Sequence, residues 1–191
     1  MTSTAHAQPL DLLRSDVTAW NSLRSLGDSG NVSLVDAGLA GANLAGANLA
    51  GVDLTGADLS GADLTDAGLA GANLTSAELV GADLARADLT GVIAHDANFT
   101  GAYLTRARLR DADLTMAYLT STFLGYADLA GADLTGAYMT GAYLGDADLT
   151  GAILISAYLG KANLTGANII TAVLDGADIT EATMPDGTSV D

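Results

Sequence analysis

From Val32 to Met184 the polar and apolar positions recur every five residues without an insertion: alanine, then aspartate or asparagine, then leucine, then two variable residues, commonly Thr-Gly. Ala42-Asn43-Leu44-Ala45-Gly46, Ala62-Asp63-Leu64-Thr65-Asp66 and Ala132-Asp133-Leu134-Thr135-Gly136 are typical. Counting the leucine position from Leu34 to Met184 gives 31 units in one register. A period of five matches neither a helix nor a strand, but it fits a short extended segment followed by a turn. Alanine and leucine, two apart, then point to the same side. The variable pair turns the corner. Glycine in its second place, as at Gly41, Gly46, Gly51, Gly56 and Gly61, suits a type II turn, which needs positive φ. Asp66, Arg86, Arg106 and Tyr126 hold the same place, which predicts other turn types at those corners. Repetition at this scale specifies a solenoid.

The N-terminal pattern is different. Leu10, Leu13, Val17 and Trp20 form one apolar stripe at helical spacing. The spacing predicts a helix over 9–26, started by Pro9 and stopped by Gly27; a shorter helix beginning at Asp16 and capped by Ser15 fits equally. Its expected work is to cover the first coil, whose core and strand edge are otherwise bare. Trp20 is read as core packing rather than as a binding residue. The organisation expected is a disordered lead plus capping helix over 1–30, the array over 31–185, and a polar tail over 186–191.

The units resemble the pentapeptide-repeat family, whose pattern is Ala-(Asp/Asn)-Leu-X-X, and the likeness covers about four-fifths of the chain. Trp20-Asn21-Ser22-Leu23-Arg24 also resembles the helical lead-in of some bacterial members. The resemblance implies an all-β fold, a right-handed quadrilateral parallel β-helix with four units per coil. Residues twenty apart then stack, and at the ordinary strand spacing of ~4.8 Å the array is a rod of roughly 35–40 Å. Leucine ladders fill the inside, with Phe99, Met139, Ile169 and Ile179 as apolar substitutes. Ala94 is the one lapse, a candidate cavity that Val92 and Phe99 are placed to fill.

Stacking by twenty sorts the outward residues into columns. One runs Asn43, Asp63, Asp83, Tyr103, Phe123, Tyr143, Asn163; its neighbour runs Asp58, Glu78, Asn98, Tyr118, Tyr138, Tyr158, Asp178. Both switch from acid or amide to aromatic at one level. Two readings stand for Tyr103, Tyr118, Phe123, Tyr138, Tyr143 and Tyr158: ladder packing that stabilises a face, or a platform for a partner. Asp53, Asp58, Asp63, Glu78, Asp83 and Asp88 make the N-terminal half the richest in acid, opposed there only by Arg86. Arg86 and Arg106 share a corner column that Asp66 and Asp146 terminate, so neutralising pairs are the expectation, with an anion site as the alternative. Ile153, Ile155, Ile170, Val173, Ile179 and Met184 place apolar bulk near the C-terminal coils, and related proteins of the family pair end to end there. A two-fold dimer through those coils is therefore expected.

The net charge of -16 argues against gripping nucleic acid through its phosphates. No cysteine is present, so there is no thiolate metal site or disulfide framework. The first residues lack a basic and apolar leader, and no apolar run reaches membrane-spanning length, so a cytoplasmic protein is expected, without a membrane role. His95 beside Asp96 has no nucleophile with it in sequence and reads as a solvated turn. Gly160-Lys161-Ala162 is not a P-loop, Asp111 and Asp113 lack the rest of a calcium loop, and the Asn-X-Thr sequons arise from the repeat itself. The expectation is no enzyme, no cofactor and no metal. What remains is an acidic rod acting as a protein-interaction or structural module. The family resemblance adds an alternative: a mimic of duplex DNA that binds a type II topoisomerase such as gyrase and protects it from inhibitors.

Overall fold

The computed structural model describes residues 9–26 and 32–191. The expected lead and the Gly27 stop lie outside them. The single expected helix is two: α1 (Pro9–Ser15) and α2 (Val17–Ser25). The break is Asp16, which is extended at φ -154° and whose carboxylate accepts the Ala19 N–H at 2.9 Å. Asp16, not Ser15, is therefore the cap; the Ser15 hydroxyl donates back to the Asp11 carbonyl at 2.7 Å.

In the array each outward residue bridges in parallel to the residue twenty further on, as in Asp63, Asp83, Tyr103, Phe123 and Tyr143. Twenty residues make four units, so each coil has four sides. Their inward ladders run Leu34 to Leu174 on face 1, Leu39 to Ile179 on face 2, Leu44 to Met184 on face 3 and Leu49 to Ile169 on face 4. The Leu104 unit shows the bonding: Leu104 N–H donates to Phe123 at 2.8 Å, Phe123 N–H to Ala102 at 2.9 Å, and Arg106 N–H to Gly125 at 3.0 Å. A fourth bond, Ala107 N–H to Leu104 at 3.0 Å, closes the corner. Leucines and alanines from Leu44 to Leu164 are almost all fully buried, including Val92, Ala94 and Phe99 together in one coil. Thr122 takes an alanine place and is buried; its hydroxyl donates to the Phe99 carbonyl at 2.8 Å.

The corners correct one expectation. Every corner residue from Asp36 to Glu181 has positive φ, and fifteen of them are not glycine: Asp66 lies at 57°, Arg86 and Arg106 at 61°, Tyr126 at 59°. One turn conformation serves all. The left-handed region costs a side-chain-bearing residue about 1–2 kcal/mol. The corner N–H and the carbonyl before it are both committed to adjacent coils, so the stack imposes the geometry whatever the residue.

The Asp/Asn preference also has a local cause. The side-chain oxygen of the second residue accepts the N–H two residues on: Asp53 from Thr55 at 3.1 Å, Asp133 from Thr135 at 2.9 Å, Asn163 from Thr165 at 2.9 Å. This Asx arrangement needs an acceptor, which both residue types carry, and not a charge. The Thr150 hydroxyl, then its N–H, hold the Asp148 carboxyl below the usual carboxylate range; Thr65 does the same to Asp63, and the Ser60 N–H to Asp58. A carboxyl whose folded pKa is depressed stabilises the fold fully above its unfolded pKa near ~4 and loses that contribution as pH falls through the folded value. The melting temperature is thus expected to hold down to about pH 4 and to fall below it. Asp148→Asn together with Asp63→Asn keeps the acceptors and should flatten that acid slope; an unaltered slope would count against these bonds as its source.

The ends are closed differently. Helix α2 imitates the coil that would precede the first. The Asn21 side chain accepts the Asn48 N–H at 2.7 Å and donates to the Gly46 carbonyl at 2.9 Å, as a backbone amide would. Trp20, fully buried as expected, donates from Nε1 to the Asn48 carbonyl at 2.8 Å. Arg14 and Arg24 donate to the carbonyls of Gly38 and Ala50. At the other end the expected polar tail folds back: Thr183 pairs antiparallel with Ser189, and the Val190 N–H donates to the Ala182 carbonyl at 2.9 Å. This hairpin follows face 3, while Ile169, Leu174 and Ile179 on the other faces of the last coil stay only partly buried. No helix among the described residues is long and apolar enough to cross a membrane.

Candidate functional site

Faces 2 and 3 bring the expected aromatic residues together over adjacent sides of the rod. Tyr118, Tyr138 and Tyr158 stack with ring centroids 4.9 and 5.0 Å apart, and Tyr103 stacks on Phe123 at 5.0 Å with planes 4° apart. The strand spacing sets that interval, so the rings pack face to face and turn their edges outward. Tyr138, in the middle of its stack, is half-buried; the other five are exposed.

Tyr143 leaves its column. Its ring lies over the corner between faces 3 and 4, where a Cβ on Gly125 would meet Cε1 at 2.9 Å and one on Gly145 would meet Cζ at 2.6 Å. Both glycines occupy the place that threonine usually takes and have no positive φ. They are needed for space, and the ring buries them both. Phe123 therefore stacks on one side only.

Beside Tyr143 stands Tyr126, the most exposed aromatic at 56% and absent from the surface expected from sequence. It sits in the corner column Asp66, Arg86, Arg106, Tyr126, Asp146. Arg86 and Asp66 pair in two parallel bonds of 2.8 and 2.7 Å, the neutralisation expected. That bond holds the Asp66 carboxyl below and the Arg86 guanidinium above its ordinary range. The next step breaks the alternation. Arg106 lies with its guanidinium carbon 5.6 Å from the Tyr126 ring centre, and the nearby Asp146 carboxylate raises the Tyr126 phenol above its ordinary range.

The six candidate acids all face outward, with Asp58, Asp63, Glu78 and Asp83 exposed and Asp53 and Asp88 half-buried. Five of the six spend an oxygen on an Asx bond, and Glu78 accepts from the Asn98 amide at 2.8 Å. Arg86 does not oppose them alone: Arg108 pairs with Asp88 at 2.8 Å. The C-terminal candidates divide into two groups. Ile155, Ile170 and Val173 are exposed and Ile153 half-buried on the outside, whereas Ile179 and Met184 belong to the inward ladders.

His95 is better connected than a solvated turn. Nδ1 lies 2.8 Å from the Thr115 hydroxyl and Nε2 3.1 Å from Asp96 Oδ2. The likeness to a nucleophile–base–acid triad fails on proton inventory. The Thr115 hydroxyl gives its one proton to Asp113 at 2.7 Å, so Nδ1 must be the donor to Thr115 and cannot accept a proton from it. Among the described residues no group of acids and histidines is arranged to hold a metal.

The family model for pentapeptide repeats matches eight copies along residues 33–184, and the chain belongs to that family. HetL, a pentapeptide repeat protein involved in heterocyst differentiation regulation from the cyanobacterium Nostoc sp., is 31% identical over 88% of this chain and 98% of its own, with a TM-score of 0.49. QnrB1, a plasmid-mediated fluoroquinolone resistance protein, superposes with a TM-score of 0.59 at 22% identity, over 77% of this chain and 76% of its own, a likeness of fold. A comparison with curated protein sequences finds no match.

Proposed function

We propose that the chain is a non-enzymatic, right-handed four-sided rod that works as a protein-interaction module through the aromatic surface of faces 2 and 3. The observation that supports this most is the set of exposed rings covering two adjacent sides. Ladder packing accounts for the stacked rings, but not for Tyr126 and Tyr143 spread over a corner. Tyrosine and arginine together are also the residue types that dominate interface energetics. The acid around the patch keeps the rod soluble and steers basic partners toward it. We propose further that two copies pair through the C-terminal coils. There the last strand edge is open on three faces beside exposed Ile170 and Val173, and an open edge pairs readily.

Mimicry of duplex DNA toward a type II topoisomerase is the second reading. It draws on the exposed acids Asp58, Asp63 and Asp83 and on the fold shared with QnrB1. One comparison separates the two readings: cross-linked partners recovered from the source cell, alongside gyrase supercoiling at low salt. Tyr118→Ser with Tyr138→Ser and Tyr158→Ser should abolish partner recovery, while Asp58→Asn with Asp63→Asn and Asp83→Asn leaves it intact. The opposite pattern, with supercoiling inhibited by the wild type and spared by the Asn variant, would establish mimicry.

A further inference from the structure

Six of the seven lysines and arginines have an acceptor. Arg14 and Arg24 bond carbonyls of the first coils; Arg86, Arg108, Arg110 and Lys161 pair with Asp66, Asp88, Asp128 and Glu181. Arg106 has none among the described residues, although it is exposed on a chain with 23 acidic residues. The cause lies in its column. An acid at position 126 would serve Arg106 as Asp66 serves Arg86; Tyr126 stands there instead, and Asp146 lies one step further along the column, beyond the Tyr126 ring. The acids on the neighbouring face, Asp88 and Asp128, are bonded to Arg108 and Arg110.

Three further departures from the repeat meet at this corner. Gly125 and Gly145 replace threonine, Tyr143 lies down across them, and Phe123 and Tyr103 replace acids on the adjoining face. The result is a guanidinium held over one ring, with further rings on the adjoining face and its N–H groups unused among the described residues. We propose that Arg106 and the rings around it form the docking site for a partner protein that presents a single carboxylate beside apolar or aromatic side chains. The inference rests on the interaction reading above and names the chemistry of its partner. A guanidinium stacked on an aromatic face is weakly hydrated and pre-oriented to receive a carboxylate in two parallel bonds. The rings offer the neighbouring side chains a water-excluding border. A polyanion is disfavoured, because the chain as a whole carries net charge -16 and the cationic spot is one residue wide.

Random peptides displayed on phage, panned against the full chain, supply the probe. The enriched sequences should carry one Asp or Glu next to Leu, Phe, Tyr or Trp. Their binding should weaken roughly tenfold or more, the worth of a charged hydrogen bond, on Arg106→Gln or on replacing the peptide's Glu by Gln. Arg108→Gln, whose guanidinium is already occupied by Asp88, should change it little, and circular dichroism should show Arg106→Gln folded. Peptides that bind but ignore Arg106→Gln while losing affinity with Tyr118→Ser, Tyr138→Ser and Tyr158→Ser would overturn the Arg106 site and leave the interaction surface standing. Equal competition by a DNA duplex would make this a bare anion site and overturn the proposal as well. No enrichment over the starting library would count against both readings.

Discussion

Leu124→Asp is expected to abolish the folded array. Leu124 is fully buried in the face 3 ladder, between the equally buried Leu104 and Leu144. An unpaired carboxylate forced into such a column costs several kcal/mol even when it protonates to escape its charge. Domains of this size are stable by about 5–15 kcal/mol in total. The damage also spreads, because each coil contacts only its neighbours and a failed central coil divides the rod. Circular dichroism should lose its β signal and its cooperative melt. Leu124→Ala, which leaves a cavity without a charge, should cost about 2–5 kcal/mol and still fold. Thr105→Ser, at a partly exposed corner, should leave the melt almost where it was. An unchanged spectrum and melt for Leu124→Asp would refute the inward assignment.

Trp20→Ala should be the most damaging single change outside the array. It removes a fully buried indole and also the Nε1 donor that satisfies the Asn48 carbonyl. Losses of about 3–5 kcal/mol are usual for such truncations. For a chain of this length that corresponds to a fall of roughly 6–20 °C in melting temperature. A second effect follows from the exposed edge. With the helices loosened, the first coil presents unpaired carbonyls and the leucines Leu34, Leu39 and Leu44, so association should become concentration-dependent. Scanning calorimetry with light scattering reads both. A variant that melts like the wild type and stays unassociated would show that the helices do not close that end.

The sequence makes the period, the inward ladders and the columns legible because five-residue repetition leaves one choice of inward face. Phe99 and Leu104 face inward for that reason alone, and both are fully buried. The corners were harder to read. Asp66, Arg86, Arg106 and Tyr126 look incompatible with a left-handed turn by local preference, yet bonds to the coils on either side hold them in it. The break at Asp16 is not legible: the sequence offers one helix over 9–26 or a shorter one capped by Ser15, and Ser15 and Asp16 are both good caps that only their bonding separates. Tyr143 could not be placed from its column, because its departure depends on vacancies at Gly125 and Gly145 in other units. The same is true of Tyr126 and Arg106. Their significance lies in which neighbour has already taken which acid, a matter of side-chain bonding twenty and forty residues apart. The tail reads as polar from its composition, but it folds back on face 3, where the N–H groups of Val190 and Met184 donate to the carbonyls of Ala182 and Thr188.

The twenty-residue register also governs how such a gene tolerates gains and losses of sequence. Removing one unit of five keeps every leucine pointing inward, so the shortened chain should still fold. It nonetheless rotates all later units by a quarter-turn against the earlier ones. Tyr118, Tyr138 and Tyr158 would then continue a different column, and Arg106 would lose its position under Tyr126 if the deletion fell between them. Removing a whole coil leaves each residue beyond the cut on its original side. Recombination between units is thus neutral for folding at every multiple of five, but neutral for the surface only at multiples of twenty. Changes in length can reassort faces without touching the core.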